Sequence, residues 1–251
     1  MKKNVLPFPI ILVISVIGFC NTNSNGSDRK NCSSHIIITD PGSDSTGNVS
    51  YNGYNYKTIK IGTQRWFAEN LQTTQYNDGT VISNVTDNKA WAALKTGAYC
   101  WYDNDASSYR NLYGALYNWY AVNTGKLCPS GWHVPFDAEW KTLELSLGMT
   151  QTQADGTGYR GTDQGTQMKT TSGWFSNGNG TNTSGISGLP GGNRYYNGSF
   201  VSIGNYGNWW SSTEYSTTNA WTRHLHYYLA NVYRFYNYKV HGFSVRCLRD
   251  N

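Results

Sequence analysis

The chain has 251 residues; 15% of them are aromatic, 14% are charged, and the formal net charge is +5. Its ten tryptophans and twenty tyrosines can bury a core, which excludes a disordered chain. Its lysines and arginines are scattered rather than clustered, which excludes a nucleic-acid partner.

The N-terminus has the pattern of a secretory leader. Two lysines precede an apolar stretch, residues 5–19, which is too short to cross a bilayer and ends at Cys20. We therefore predict a signal peptide over residues 1–20. Residues 17–20, Ile-Gly-Phe-Cys, resemble a bacterial lipobox, although Phe19 replaces the usual small residue, so acylation is predicted at Cys20. The predicted location is the bacterial outer membrane or cell surface, through a lipid anchor; ordinary cleavage, with a periplasmic or secreted product, is the alternative.

Residues 21–47 are rich in Asn, Ser, Gly and Asp and are predicted to form a flexible tether. The apolar run at residues 35–39 interrupts the tether and predicts a short edge strand. The folded domain is predicted over residues 48–251. Its first clear element is a half-buried strand at residues 57–62, where polar and apolar residues alternate before a glycine.

Two helices are predicted in the middle of the chain. The first covers residues 111–123, because Tyr113, Leu116, Tyr117 and Tyr120 recur at helical spacing. The second runs from Asp137 to about Leu147 and is ended by Gly148.

The C-terminal half divides into a turn-rich region and a group of strands. Residues 150–208 hold many Gly, Asn, Thr and Ser and predict a long region with little regular structure. Strands are predicted at residues 224–229, 232–240 and 243–249, with short turns between them. Trp209 and Trp210 are adjacent, so one side chain is predicted to point inward and the other outward.

The cysteines allow disulfides, since an exported chain enters an oxidising compartment. Cys32 lies in the predicted tether and is expected to stay free. We favour a bond between Cys128 and Cys247, which would join the start of the second helix to the C-terminal strand. A bond between Cys100 and Cys128 is the alternative, and the spacing of the cysteines does not decide between them.

No metal or cofactor site is predicted. Asp103-Asn-Asp105 fails as an EF-hand loop, because Ser and Gly stand where that loop needs Gly and Glu. His224 and His226 have a spacing that can hold a metal, but no acidic or cysteine partner lies near them in sequence, so exposed strand positions are expected. His133 is predicted to be a hydrogen-bonded structural residue.

Seven segments in order between residues 50 and 250 resemble one family, the Fibrobacter succinogenes major paralogous domain. They include Leu127-Cys-Pro-Ser-Gly-Trp-His-Val-Pro-Phe-Asp-Ala-Glu-Trp140, Trp209-Trp-Ser-Ser-Thr-Glu214 and Gly242-Phe-Ser-Val-Arg-Cys-Leu-Arg-Asp250. The others cover residues 56–71, 98–105, 113–122 and 189–192. Together these segments span almost all of the predicted domain.

The resemblance implies a C-type lectin-like α+β fold with two helices, a small twisted antiparallel sheet and a long loop region that carries binding. It also implies a relation to formylglycine-generating enzymes. Those enzymes use a pair of cysteines near the C-terminus. This chain has only Cys247 in that region, so the catalytic chemistry of those enzymes is not expected. Phe136 stands where the family usually has Thr or Ser, which removes the side-chain cap of the second helix unless Asp137 takes over the cap position.

The predicted function is that of a non-catalytic binding module for a glycan or an extracellular protein. Aromatic side chains suit both ligands, because they offer flat apolar faces with polar edges. The candidate surface combines the loops of residues 150–208 with five side chains: Trp210, Glu214, Arg223, Tyr233 and Tyr236. The alternatives are an envelope scaffold without a small ligand and, less favoured, an enzyme.

Overall fold

A computed structural model describes residues 15–20, 32–37 and 45–250. These residues form two compact units that divide between Ser45 and Thr46. In the first unit, strand β1 (Ser15–Cys20) pairs antiparallel with strand β2 (Cys32–Ile37), which overlaps the predicted edge strand. Of the rest of the predicted leader and tether, only residues 45–47 are described, and Thr46 and Gly47 already belong to the first strand of the second unit. Among the described helices, none has the length and apolar character needed to span a bilayer.

The second unit contains fourteen strands and six short helices among its described residues. The strands are β3 (Thr46–Tyr51), β4 (Tyr54–Ile61), β5 (Gln64–Phe67), β6 (Ser83–Asn84), β7 (Ala98–Cys100), β8 (Leu116–Tyr117), β9 (Trp132–His133), β10 (Gly158–Arg160), β11 (Gly191–Arg194), β12 (Phe200–Ile203), β13 (Tyr206–Glu214), β14 (Asn219–His226), β15 (Val232–Tyr238) and β16 (Leu248–Arg249). The helices are α1 (Asn88–Ala92), α2 (Ala106–Tyr113), α3 (Trp119–Val122), α4 (Asp137–Ser146), α5 (Gln151–Asp155) and α6 (Gln164–Met168).

Two antiparallel sheets organise the second unit. One has five strands in the order β3-β4-β5-β16-β9, and the other has four in the order β10-β15-β14-β13. Smaller pairings join β6, β7 and β8, and β11 with β12. The predicted α+β class is therefore confirmed, with sheet dominating and only α2 and α4 reaching eight residues.

The prediction for the tryptophan pair at the centre of β13 is wrong, because both side chains are buried. Trp209 packs in one core cluster together with Trp140, and Trp210 packs in another against Phe243 at 4.7 Å between ring centroids. Alternation along the strand does send the two rings to opposite faces. Both faces of the sheet are covered at this point, so neither ring reaches solvent.

The helix predicted at residues 111–123 does not form. Helix α2 ends at Tyr113, because Gly114 adopts a φ of +74° that continues no helix. Ala115 then donates to the carbonyl of Leu71, and the chain passes through β8. A separate short helix, α3, begins after Asn118, whose side chain accepts from the N–H of Ala121. The aromatic stripe therefore belongs to three elements rather than one.

Helix α4 confirms the second predicted helix. Phe136 is its N-cap residue and supplies no capping oxygen, while its own ring is 52% exposed. Glu139 provides the other half of a capping box by accepting from the N–H of Phe136 at 2.7 Å. His133 holds Glu139 in place through a 2.8 Å contact and also contacts Asp250, which confirms its structural role. The hydrogen bond to Glu139 raises the pKa of His133.

Strand β15 confirms the strand predicted at residues 232–240 over most of its length. The strand predicted at residues 224–229 is misplaced, since β14 begins at Asn219 and ends at His226. The third is wrong over most of its length, since only Leu248–Arg249 is a strand. Phe243 forms a bridge with Tyr117, and Ser244 forms one with Trp209. Consecutive residues of this segment pair with strands of different sheets, so most of the segment does not form a continuous strand.

The structure pairs Cys128 with Cys247, the disulfide favoured from the sequence. The bond joins the segments that lead into the paired strands β9 and β16. Cys100 is a free, fully buried thiol, and burial raises its pKa to about 12.

Buried cations hold the irregular region between α5 and β13. Arg246 donates to the carbonyls of Phe67, Ile186 and Ser187. Arg194 donates to the carbonyls of Val85, Thr86 and Gly198. Lys169 donates to the carbonyls of His226, Tyr227 and Leu229. Mainly main-chain oxygens satisfy these charges. Arg246 reaches the irregular region from the C-terminal segment, whereas Lys169 and Arg194 lie within it and tie it to other parts of the fold.

Candidate functional site

Two of the five predicted binding residues lie in the core. Trp210 is 0% exposed and donates its indole N–H to the carbonyl of Tyr117 at 2.8 Å. Arg223 is also 0% exposed and contacts Asp137 and Glu144, each at 2.7 Å. A side chain without solvent contact cannot contact a ligand, so neither Trp210 nor Arg223 belongs to the candidate surface.

Arg223 belongs to a buried ion-pair network between helix α4 and the four-stranded sheet. Asp137 also binds Arg234 at 2.7 Å, and Glu144 also binds Arg160 at 2.8 Å. Burial acts to raise the pKa of Asp137, but hydrogen bonds from Arg234 and the charge of Arg223 outweigh it and lower the pKa to about 2. The network carries three arginines and two carboxylates, and it positions α4 on the sheet.

The other three predicted residues keep contact with solvent, but no contact joins any two of them among the described residues. Tyr233 packs against Tyr159 at 4.5 Å between ring centroids and lies beside His224 across the hairpin. Tyr236 packs on Tyr215 and is connected to Tyr233 only through Phe235, which stacks on both rings. Glu214 is exposed at the end of β13.

The paired histidines of β14 are not the exposed positions that we predicted. His224 shares hydrogen bonds with Thr222, Asn208 and Asn237. Burial lowers its pKa to about 3, which keeps the ring neutral. His226 is buried as well. Within residues 15–20, 32–37 and 45–250, no group of three or more His, Cys, Asp or Glu side chains could hold a metal ion.

A cleft of about 530 Å³ opens beside Glu214, at the end of the hairpin where β14 begins and β15 stops. We call it the tyrosine–lysine cleft. Four segments build it: the end of α1, helix α3, the turn between β11 and β12, and the turns around β14 and β15. Its lining consists of Ala92, Lys95, Tyr120, Tyr196, Thr217, Thr218, Tyr238, Lys239 and Val240.

Exposed tyrosine rings form one wall of this cleft. Tyr196 is 44% exposed and Tyr238 is 52% exposed, and their rings meet edge to face at 5.7 Å. Tyr195 packs on Tyr196 at 4.4 Å. Behind them lies the buried ring of His241, whose Nδ1 has no hydrogen-bond partner among the described residues. Burial lowers the pKa of His241 to about 4.

Lys239, which follows Tyr238 in the chain, also lines the cleft and is held by three contacts. Its Nζ lies 2.9 Å from a carboxylate oxygen of Glu214 and 2.9 Å from the carbonyl oxygen of Thr217. The same Nζ lies 4.6 Å from the ring centroid of Trp119, within cation–π range. The ammonium group of Lys239 is therefore oriented before any ligand arrives.

Aromatic surface continues from the cleft along β15. Tyr236 lies on the same face as Tyr238, two residues away. Its ring stacks on that of Tyr215 at 3.8 Å with an interplanar angle of 3°. Trp221 packs edge to face on Tyr215 at 5.0 Å. Tyr236 thus packs on the residue that follows Glu214 in the chain, and Glu214 itself contacts Lys239 of the cleft.

A groove of about 560 Å³ along strands β3 and β4 is similar in size but different in chemistry. Its lining includes Gly47, Asn48, Thr58 and Ile59 and contains no aromatic side chain. Since ring stacking is the contact that most favours a sugar or a planar ligand, the tyrosine–lysine cleft is the better candidate.

Sequence reasoning missed Lys95, Tyr120, Tyr238 and Lys239, whereas Tyr196 lies in the loops of residues 150–208 that the candidate surface included. Tyr196 lies in the region predicted to be rich in turns, and Tyr238 lies near the end of the strand predicted at residues 232–240. Nothing in their spacing indicated that the two segments meet, because β11 contacts the segment after β15 through single bridges such as that of Arg194 with Gly242.

Comparison with known proteins identifies a family but no individual relative. A family-wide sequence profile, that of the Fibrobacter succinogenes major domain, matches residues 59–249. No curated protein and no solved structure matches the chain. The profile covers most of the second unit, including every element that builds the cleft. The chain therefore belongs to the family of the Fibrobacter succinogenes major domain.

Proposed function

We propose that this protein is a non-catalytic binding module of the bacterial cell envelope and that a glycan binds in the tyrosine–lysine cleft. The observation that carries the proposal is the pair of exposed rings, Tyr196 and Tyr238, set edge to face at the mouth of the cleft. Exposed aromatic rings present an apolar face to the C–H groups of a sugar, while their hydroxyls and the neighbouring threonines offer hydrogen bonds.

The size of the cleft supports a glycan over a protein ligand. About 530 Å³ lies within the range of small-molecule sites. A stable protein partner would need about 800 Å² of surface on this side alone, much of it beyond the cleft. A short stretch of sugar chain fits the concave shape better.

The proposal includes a C-type lectin-like fold. Three features support it: antiparallel sheets dominate the fold, helix α4 begins just after Val134-Pro135, and the region between α5 and β13 is irregular. In that fold the long loop region carries binding, and here the turn with Tyr196 belongs to it.

The proposal also includes export and a lipid anchor at Cys20. Two N-terminal lysines, the apolar stretch of residues 5–19 and the cysteine that follows it support this part. Cells that express the protein and are fed a palmitate analogue are expected to label it, and Cys20→Ser is expected to abolish the label. A wild-type protein without label would contradict the anchor.

Replacing Tyr238 by alanine tests the cleft. We expect the affinity for a glycan found by array screening of the full chain to fall about tenfold, since truncation of an aromatic anchor typically costs more than about 1 kcal/mol. Isothermal titration calorimetry measures the change. Because Tyr238 is exposed, the melting temperature should remain that of the wild type.

Tyr228→Ala is the matched control. Tyr228 is also exposed, but it lies in the turn between β14 and β15, at the far end of the hairpin from the cleft. Its replacement should leave affinity unchanged. Equal losses in both variants would place the binding site elsewhere, and an array without any bound glycan would favour a scaffold role instead.

A further inference from the structure

We infer that the glycan bound by the tyrosine–lysine cleft carries a carboxylate, as a uronic acid residue does. This inference rests on the proposed function and adds the chemical class of the ligand. It starts from Lys239, whose side chain is 7% exposed and lines the cleft. A buried ammonium group that faces a ligand site selects for negative charge when its hydrogen bonds are incomplete.

The second buried lysine, Lys169, shows what a complete set of partners looks like in this protein. Its Nζ lies 5.3 Å from the ring centroid of Trp174 and donates to three carbonyl oxygens at 3.1–3.2 Å. An ammonium group has three N–H donors, so Lys169 is satisfied. Its contact with an indole ring does not replace any of the three bonds.

Lys239 has the same kind of indole contact but fewer oxygen partners. Among the described residues, its Nζ contacts oxygens of Glu214 and Thr217 only. One of its three N–H groups is therefore left for a ligand oxygen. Because Lys239 lines the cleft, a ligand bound there can complete the set.

The remaining charges at the cleft favour an anion. Lys95 is exposed on the rim and adds a second positive charge. Among the described residues, Glu214 is the one carboxylate in contact with Lys239, so Lys95, Lys239 and Glu214 together carry a net positive charge. The pyranose ring of a uronic acid would stack on Tyr196 or Tyr238 and direct its carboxylate toward the lysines. An acidic peptide would supply the negative charge but no sugar ring to stack on the tyrosines, so the cleft suits a uronic acid better.

The test uses pairs of ligands that differ in charge alone. Oligomers of galacturonate, mannuronate, guluronate and glucuronate are titrated into the full chain in detergent, each beside its neutral methyl ester. We expect at least one acid to bind about tenfold more tightly than its ester, since a charge-assisted hydrogen bond is worth about 1.5–3 kcal/mol. Raising the salt concentration should weaken the binding of that acid and leave its ester unaffected.

Two variants assign the preference to the cleft. Lys95→Gln is expected to weaken the acid about threefold, in line with an exposed ion pair. Glu214→Gln is expected to strengthen it about threefold, because the competing carboxylate is removed. Lys60→Gln is the control, since Lys60 is exposed on strand β4 of the other sheet.

The outcomes separate this inference from the proposed function. Acids and esters that bind equally, with affinity lost in Tyr238→Ala, would overturn the charge preference and keep the glycan site. An acid preference that Lys60→Gln weakens as much as Lys95→Gln would overturn its assignment to the cleft. No binding of any acid or ester in these pairs would overturn the inference, and if the neutral glycans of the array also fail to bind, the proposed function falls with it.

Discussion

Replacing Glu144 by glutamine is expected to lower the free energy of unfolding by about 3–5 kcal/mol. Glu144 is fully buried and contacts Arg160 and Arg223 at 2.8 Å and 2.7 Å. Glutamine keeps the shape but removes one of the two negative charges that face the three buried arginines, so a further buried positive charge is left uncompensated. Thermal unfolding should show a melting temperature lower by roughly 10 °C for a domain of this size.

A double variant distinguishes the lost charge from lost packing. Adding Arg160→Met to Glu144→Gln removes the stranded charge and should recover part of the stability, because apolar groups replace buried ion pairs at little cost. Lys126→Gln is the surface control, since its pair with Asp78 is exposed and should contribute nothing measurable. A Glu144→Gln protein as stable as the wild type would contradict the assigned role of the network.

Because of the same network, the stability of the fold is expected to decrease at low pH. The pKa of Asp137 is lowered to about 2 in the folded protein, below its value of about 3.9 in an unfolded chain. The stability from this group is therefore present above about pH 4 and is lost as the pH falls toward 2. Denaturant titrations between pH 5 and 2 should show this decline, and Asp137→Asn should flatten it.

Removing the disulfide is expected to lower the free energy of unfolding by about 2–5 kcal/mol. Cys128 and Cys247 are separated by 119 residues, so the bond restricts a long loop in the unfolded chain. It also ties the segments before β9 and β16, whose pairing is only two residues long. Guanidinium unfolding of the Cys128→Ser/Cys247→Ser variant measures the loss.

The reductant supplies the matched control. Dithiothreitol should destabilise the wild type by a similar amount and leave the double serine variant unchanged, since that variant has no bond to reduce. A variant that responds to the reductant as the wild type does would show that another bond stabilises the fold. If the reductant leaves the stability of the wild type unchanged while the serine variant unfolds, then packing of the sulfur atoms, rather than the bond between them, stabilises the fold.

Local sequence patterns predicted the elements whose stabilising contacts are close in the chain. Helix α4 has regular apolar spacing and a glycine after its end, and the β14–β15 hairpin pairs two neighbouring runs. The helix and the hairpin share one property: the signal and the structure lie in the same short stretch. The disulfide joins residues 119 apart and could be favoured but not decided, because a bond between Cys100 and Cys128 was also open.

The failures arose where distant segments compete for the same residues. Gly114 breaks an aromatic stripe because its neighbour Ala115 pairs with Leu71, far back in the chain. Trp209 and Trp210 alternate as expected, but a second layer covers the face that alternation assigns to solvent. Periodicity reports which residues share a face and does not report what lies on that face.

The sequence indicated which residue types form the candidate site, but not where in the fold the site lies. Tyrosines near the C-terminal strands were expected to bind; Tyr238 of β15 lines the cleft, and of the predicted residues only Glu214 contacts a lining residue, Lys239, among the described residues. Arg223 looked like a surface residue because charged side chains usually are exposed, whereas here two buried carboxylates pair with it. Lys95 joins the site only because α1 packs near the C-terminal strands, through the indole of Trp91 donating to the carbonyl of Val240.

The carbonyl-bound cations have a consequence for how this domain can vary. Arg194, Arg246 and Lys169 recognise main-chain oxygens, which every amino acid carries at the same place. They therefore specify the course of the loops without specifying their side chains. Exposed residues on those loops can be exchanged while the course is kept, much as antibody frameworks tolerate new loops. A single architecture of this kind can display many different surfaces, which makes it a practical scaffold for engineered recognition.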